Sequence, residues 1–151
     1  MTTAIPTPLP PPPPQGGETY RLAVPNTAAA PKIARDFLDS LLRVSRHDTL
    51  THDARLCVTE LVTNAHRHTQ TRLIGVTVAV NRKRVTVYVT DNKPWSLPAP
   101  RTIPTVHELG CGQGVFLLDS VAETWGSTIY GGLHPSHKAV WFTLARRDTA
   151  A

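Results

Sequence analysis

A helical pattern runs from about Leu50 to His68, where Ala54, Cys57, Val58, Leu61 and Ala65 recur on one side as an apolar stripe. Another precedes it: behind an Asn26 or Thr27 cap, Ile33, Phe37, Leu41 and Val44 fall at helical spacing in "PNTAAAPKIARDFLDSLLRV". Elsewhere the pattern alternates. "ETYRLAV" predicts a strand, and "LIGVTVAV" and "VTVYVTD" are two alternating runs joined by "NRKR", an antiparallel hairpin. Prolines at 94, 98, 100 and 104 make residues 92–109 loop-like; "GQGVFLLDSVAETW" then predicts a glycine-led helix, and "GSTIY" and "KAVWFTLA" predict two last strands around "GGLHPSH". The order β-α-α-β-β-loop-α-β-β predicts an α+β two-layer sandwich. It has a mostly antiparallel mixed sheet of about five strands with helices on one face.

Composition adds boundaries to this picture. A chain of 151 residues can bury a core without disulfides or metal, so one domain suffices. Half of the 14 prolines lie in the first 14 residues, which marks 1–17 as a disordered, polyproline-like tail. The domain is placed at 18–146, with 147–151 as a disordered end. Cys57 and Cys111 have no CxxC spacing, which speaks against a disulfide framework or zinc cluster and suits a reducing compartment. No basic start leads into an apolar run, and no stretch of about 18 apolar residues occurs, so the expected location is cytoplasmic, away from membrane. The net charge of +5 is scattered, and nucleic acid is disfavoured as a partner.

The polar chemistry gathers in three places. In "ELVTNAHRHT", Glu60, Asn64 and His68 form a row displaced roughly 120°, 80° and 40° from the centre of the apolar stripe. Such a row borders a cleft or lies as a plain solvated flank. Asp91 closes a strand, where a carboxylate can accept a hydrogen bond from the amine of a base; Asp91 and Asn92 before Pro94 also suit a simple turn. In "GCGQG", Gly110, Gly112 and Gly114 precede an apolar helical run, an arrangement whose backbone N–H groups and helix dipole suit phosphate oxygens. The common phosphate motifs are absent: there is no GxxxxGK[ST], and Val115 or Leu117 stands where GxGxxG needs its third glycine. His52, His66 and His68 point to different helix sides, and His134 and His137 lie in a hairpin loop, so no transition-metal site is expected.

In their order and spacing, "ELVTNAHRHT", "VTDN" and "GCGQGVFLLDSVAETWG" resemble the Bergerat-fold or GHKL ATPases, over about 18–146. The resemblance is to the stand-alone, anti-sigma-factor serine kinase branch. It implies ATP and Mg²⁺ as cofactors, with Asn64 coordinating the metal and Glu60 as the general base. It further implies that Asp91 holds the adenine amine with Thr143 as its helper, that Gly110, Gly112 and Gly114 give amides to phosphate, and that His68 has an accessory polar role. Residues from Trp95 to Gln113 would form a lid. The implied function is phosphotransfer to a protein serine, sequestration of a sigma-type factor, or both; the partner would be that factor or an anti-sigma antagonist, and a homodimer is conceivable. A non-catalytic, nucleotide-dependent protein-binding module of the same fold is the alternative. One departure from the family pattern stands out: its DxGxG box is here Asp91 followed by "NKPW", without glycine.

Overall fold

The computed structural model describes residues 17–95 and 118–146. Two helices and five strands follow in the order β1 (Glu18–Pro25), α1 (Ala30–Val44), α2 (Thr51–His68), β2 (Leu73–Val80), β3 (Arg84–Asp91), β4 (Thr124–Tyr130) and β5 (His137–Ala145). A 3-10 turn, Asp48–Leu50, leads into α2, and residues 118–121 are helical. The strands form one sheet in the order β1-β2-β3-β5-β4. Every pairing among them is antiparallel, so the described sheet is not mixed. The tail at 1–16, the glycines at 110, 112 and 114, Cys111 and most of the expected lid lie outside the described residues.

Strand alternation divides the sheet into two faces. Ile74, Val76 and Val78 of β2, Val85, Val87 and Val89 of β3, and Val140, Phe142 and Leu144 of β5 join the helices in one core. Each such fully buried side chain contributes roughly 1.5–3 kcal/mol by leaving water. From α2 the core takes Ala54, Cys57, Val58, Leu61, Val62 and Ala65, which contains the expected stripe entire. The α1 stripe is rotated from expectation. Its buried residues are Ala30, Ala34, Leu38 and Leu42, while Ile33 is 45% and Val44 81% exposed. Phe37 and Leu41 pack at the edge of the core. The small alanines let α1 lie close against its neighbours, and this outweighs the greater bulk of Ile33 and Val44.

The ends of α1 also differ from the sequence pattern. Asn26 does not cap the helix; its Nδ2 donates to Thr71 O at 2.7 Å and its Oδ1 lies 2.6 Å from His66 Nδ1. Thr27 Oγ1 instead accepts from the Ala29 N–H at 3.2 Å, just ahead of a proline in the first turn. At the other end Arg46 takes φ 62°, with Arg46 N donating to Arg43 O and His47 N to Leu42 O, a Schellman closure built without glycine. The predicted third helix stops sooner than its apolar pattern suggests. Helix ends at 121, and Thr124 and Trp125 already pair with Thr143 and Phe142 in β4. Gly126 lies against the Trp141 ring, where a Cβ would stand 2.8 Å from Cζ2.

Candidate functional site

The α2 stripe fixes the helix on the sheet, and this fixes where its polar flank goes. Glu60 and Asn64 are half-buried on that flank, one turn apart, and His68 is exposed at its end. Among the described residues no hydrogen bond engages the Glu60 carboxyl or the Asn64 amide. Burial pushes the Glu60 carboxyl above its ordinary range, against a smaller opposing pull from the Arg67 guanidinium. A carboxyl shifted in this direction is, when ionised, a better proton acceptor than an exposed one. Burial also pushes the Cys57 thiol to about 12, helped by the nearby charges of Asp53 and Glu60, so this cysteine is a core residue without thiolate chemistry.

Beyond His68 the chain is bound tightly to the end of β3. Thr69 Oγ1 donates to Ala65 O at 2.6 Å and lies 3.0 Å from Thr71 Oγ1. Thr71 Oγ1 in turn donates to Asn92 Oδ1 at 2.7 Å and accepts from Asn92 N at 2.8 Å. Lys93 Nζ completes the junction, donating to His68 O at 3.1 Å. An open cleft of about 660 Å³ lies here, lined among the described residues by Arg67, His68, Thr69, Gln70, Asn92 and Lys93. The turn that lacks glycine after Asp91 is thus held by a threonine instead.

Asp91 faces the helices, in line with Val85, Val87 and Val89, and its side chain is only 5% exposed. It has a partner the sequence reading did not identify. Lys138 Nζ donates to Asp91 Oδ2 at 2.7 Å, to Oδ1 at 2.8 Å and to Lys93 O at 2.9 Å. Lys93 N donates to Asp91 Oδ1 at 2.8 Å. A signal for Lys138 was present: it begins the series Lys138, Val140, Phe142, Leu144, whose other members all face the core, and a buried lysine needs an acid.

Thr143, expected as the helper of Asp91, is on the other face. Asp91 pairs with Lys138 in the β3–β5 ladder, and Thr143 is an odd number of residues further along β5. There its hydroxyl lies 3.0 Å from Thr86 Oγ1, in a buried contact across the sheet. The structure therefore separates Thr143 from Asp91 and puts Lys138 in its place. Trp95, at the start of the expected lid, is 72% exposed. Among the described residues no group of three His, Cys, Asp or Glu could hold a metal ion. His66 bonds Asn26, and His137 stacks on Tyr130 with ring centroids 4.7 Å apart.

Residues 24–143 match the histidine kinase-like ATPase domain, and the chain belongs to that family. No curated protein matches it. Membership makes this fold an ATP-binding module of the histidine kinase-like class, and the groups present can be tested against that ligand. Asp91 Oδ2 has Lys138 as its one partner among the described residues, so it retains a lone pair for an amine N–H. Asn64 offers an unengaged amide oxygen. A single such ligand fits Mg²⁺, which takes few protein ligands and completes its octahedron with phosphate oxygens and water. Both ends of the site fit Mg-ATP. Among the described residues no helix is long and apolar enough to cross a membrane.

Proposed function

We propose that this chain is a Mg-ATP-dependent regulatory protein of the anti-sigma-factor kinase type, acting on a protein partner. Bound Mg-ATP supplies the phosphoryl group and neutralises its charge. The chain's residues do the rest. Asn64 would hold the metal through its amide oxygen, Asp91 would accept the adenine amine, and Glu60 would take the proton of a partner's serine hydroxyl, whose oxygen gains the γ-phosphoryl group as that group's bond to the bridging oxygen breaks and ADP leaves. The observation carrying this reading is the α2 row: Glu60 and Asn64, one turn apart, half-buried and without a hydrogen bond among the described residues. Both side chains are therefore open to a ligand on the flank of a helix whose other face is fixed on the sheet. The regulatory output would be sequestration of a sigma-type factor, phosphotransfer to a serine of an antagonist, or both.

A second reading, nucleotide-dependent binding without transfer, is favoured by one feature. The turn after Asp91 has no glycine and is tied by Thr71, which limits the backbone rearrangement that accompanies closure over a nucleotide. Calorimetry with ATP in magnesium buffer tests what both readings share; wild type should bind and Asn64→Ala should lose the magnesium-dependent part of the affinity. Labelled ATP with a serine-bearing antagonist separates them. Label on the antagonist with wild type and none with Glu60→Ala supports the kinase; binding without label in wild type supports the module. Absence of any ATP binding would end both.

A further inference from the structure

We propose that the sheet face turned away from the helices is the docking site of the chain's own proline-rich tail, through Pro10 to Pro14. This goes beyond the nucleotide reading and does not depend on it. Strand alternation puts Tyr88, Trp141 and Tyr130 on that face, with His137 stacked on Tyr130. Tyr88 and Trp141 are direct partners across β3 and β5, and Trp141 is paired with Gly126 on β4. A Cβ at Gly126 would stand 2.8 Å from Trp141 Cζ2 and 3.1 Å from Cε2, so the indole lies over the bare backbone of β4. The rings form an aromatic shelf.

This shelf is buried, and no described helix lies over it. Both helices and Leu118 share the core on the opposite face. Trp141 is nonetheless only 4% exposed, and neither it nor its buried neighbours Ala139 and Thr143 belong to that core. Two polar atoms narrow what the cover must be. Trp141 Nε1 and Thr128 Oγ1 are buried without a hydrogen-bond partner among the described residues. An indole N–H can only donate, so the group that lies above it must bring an acceptor.

Three stretches lie outside the described residues: 1–16, 96–117 and 147–151. The last is short, and 96–117 rejoins the fold at Leu118, inside the core under the helices. The first joins at Gly17, beside the start of the edge strand β1. Its chemistry is the complement of the shelf. Pro10 to Pro14 have carbonyls and no N–H, and a polyproline helix leaves those carbonyls without internal partners. Proline rings pack on aromatic surfaces, the mode by which proline-rich segments are commonly held. The reach also fits. From β1 to β5 is three strand spacings, about 14 Å at about 4.8 Å each. Pro10 to Pro14 span about 15 Å at about 3.1 Å per residue, and Gly16 and Gly17 permit the bend from the sheet edge onto its face.

The test is NMR spectroscopy of the full chain, comparing wild type with a variant that carries Pro10→Ser, Pro11→Ser, Pro12→Ser, Pro13→Ser and Pro14→Ser. The Trp141 indole N–H signal is assigned by its loss in Trp141→Phe. In wild type that N–H should exchange with water severalfold more slowly than in the serine variant, its signal should move between the two, and proline ring protons should show NOEs to the Trp141 ring. Equal exchange with an unmoved signal overturns the proposal. Protection that survives in the serine variant also overturns it, because another occupant, residues 96–117 or a second copy, then covers the face. A mixture of isotope-labelled and unlabelled chains decides whose tail is bound: NOEs within one chain support the proposal, and NOEs only between chains overturn it in favour of an exchanged dimer. If the serine variant does not fold, the wild-type NOEs alone decide.

Discussion

Removing the Asp91 carboxylate should cost the fold far more than its position at the end of a strand suggests. Asp91→Ala deletes three short contacts: Lys138 Nζ to both oxygens, at 2.7 and 2.8 Å, and Lys93 N to Oδ1 at 2.8 Å. The Lys138 ammonium then keeps only the Lys93 carbonyl, while its side chain is 4% exposed. Leaving one member of a buried pair uncompensated costs about 3–5 kcal/mol. A domain of this kind has about 5–15 kcal/mol in total, so the variant should be visibly destabilised. Adding Lys138→Met to Asp91→Ala removes the stranded charge and should restore at least about 2 kcal/mol, a coupling that a double-mutant cycle reads directly. Urea denaturation of wild type, both single variants and the double variant measures all four stabilities, provided that the slope stays constant across them. An Asp91→Ala cost below about 1 kcal/mol, or a double variant no more stable than Asp91→Ala, would refute the reasoning, because it would mean that the ammonium reaches water.

Two further outcomes follow from single groups. The folded chain holds the Glu60 carboxyl above its ordinary value, so ionising it opposes folding; the favourable contribution of the protonated form is complete below about 4.5 and lost as pH rises through the folded value. Glu60→Gln should therefore be more stable than wild type at neutral pH, with the advantage vanishing in melts below about pH 4.5, and should lose any phosphotransfer. Arg46, exposed and at φ 62°, carries a left-handed cost of about 1–2 kcal/mol that glycine escapes, offset by about 0.5–1 kcal/mol of unfolded-chain entropy. Arg46→Gly should raise the thermal midpoint by a few degrees; a lowered midpoint would show that the arginine side chain has a stabilising role.

Where the sequence was legible and where it was not depends on which interactions are local. The α2 stripe and the β2–β3 hairpin could be read because each repeats its own period without help from distant residues, and the row Glu60, Asn64, His68 came with the stripe. The α1 face was misread because Ala30 and Ala34 carry little hydrophobic weight in a pattern, whereas in the fold their small size decides which side comes close. Trp125 fits a helical period as well as a strand, and only pairing with Phe142 selects the strand. The same ladder decides the site. Thr143 lies one strand face away from Asp91, and Lys138 is directly across from it, a distinction that rests on register and so becomes visible only once β3 and β5 are aligned.

The threonine linkage between α2 and Asn92 governs how the site responds to its occupant. Through Thr69 and Thr71 the last turn of the helix and the end of β3 are fastened at several points. If Asn64 and Asp91 meet the two ends of a nucleotide as proposed, both would be mounted on that one frame. Such a frame would work as a calliper with its jaws locked, sorting occupants by reach.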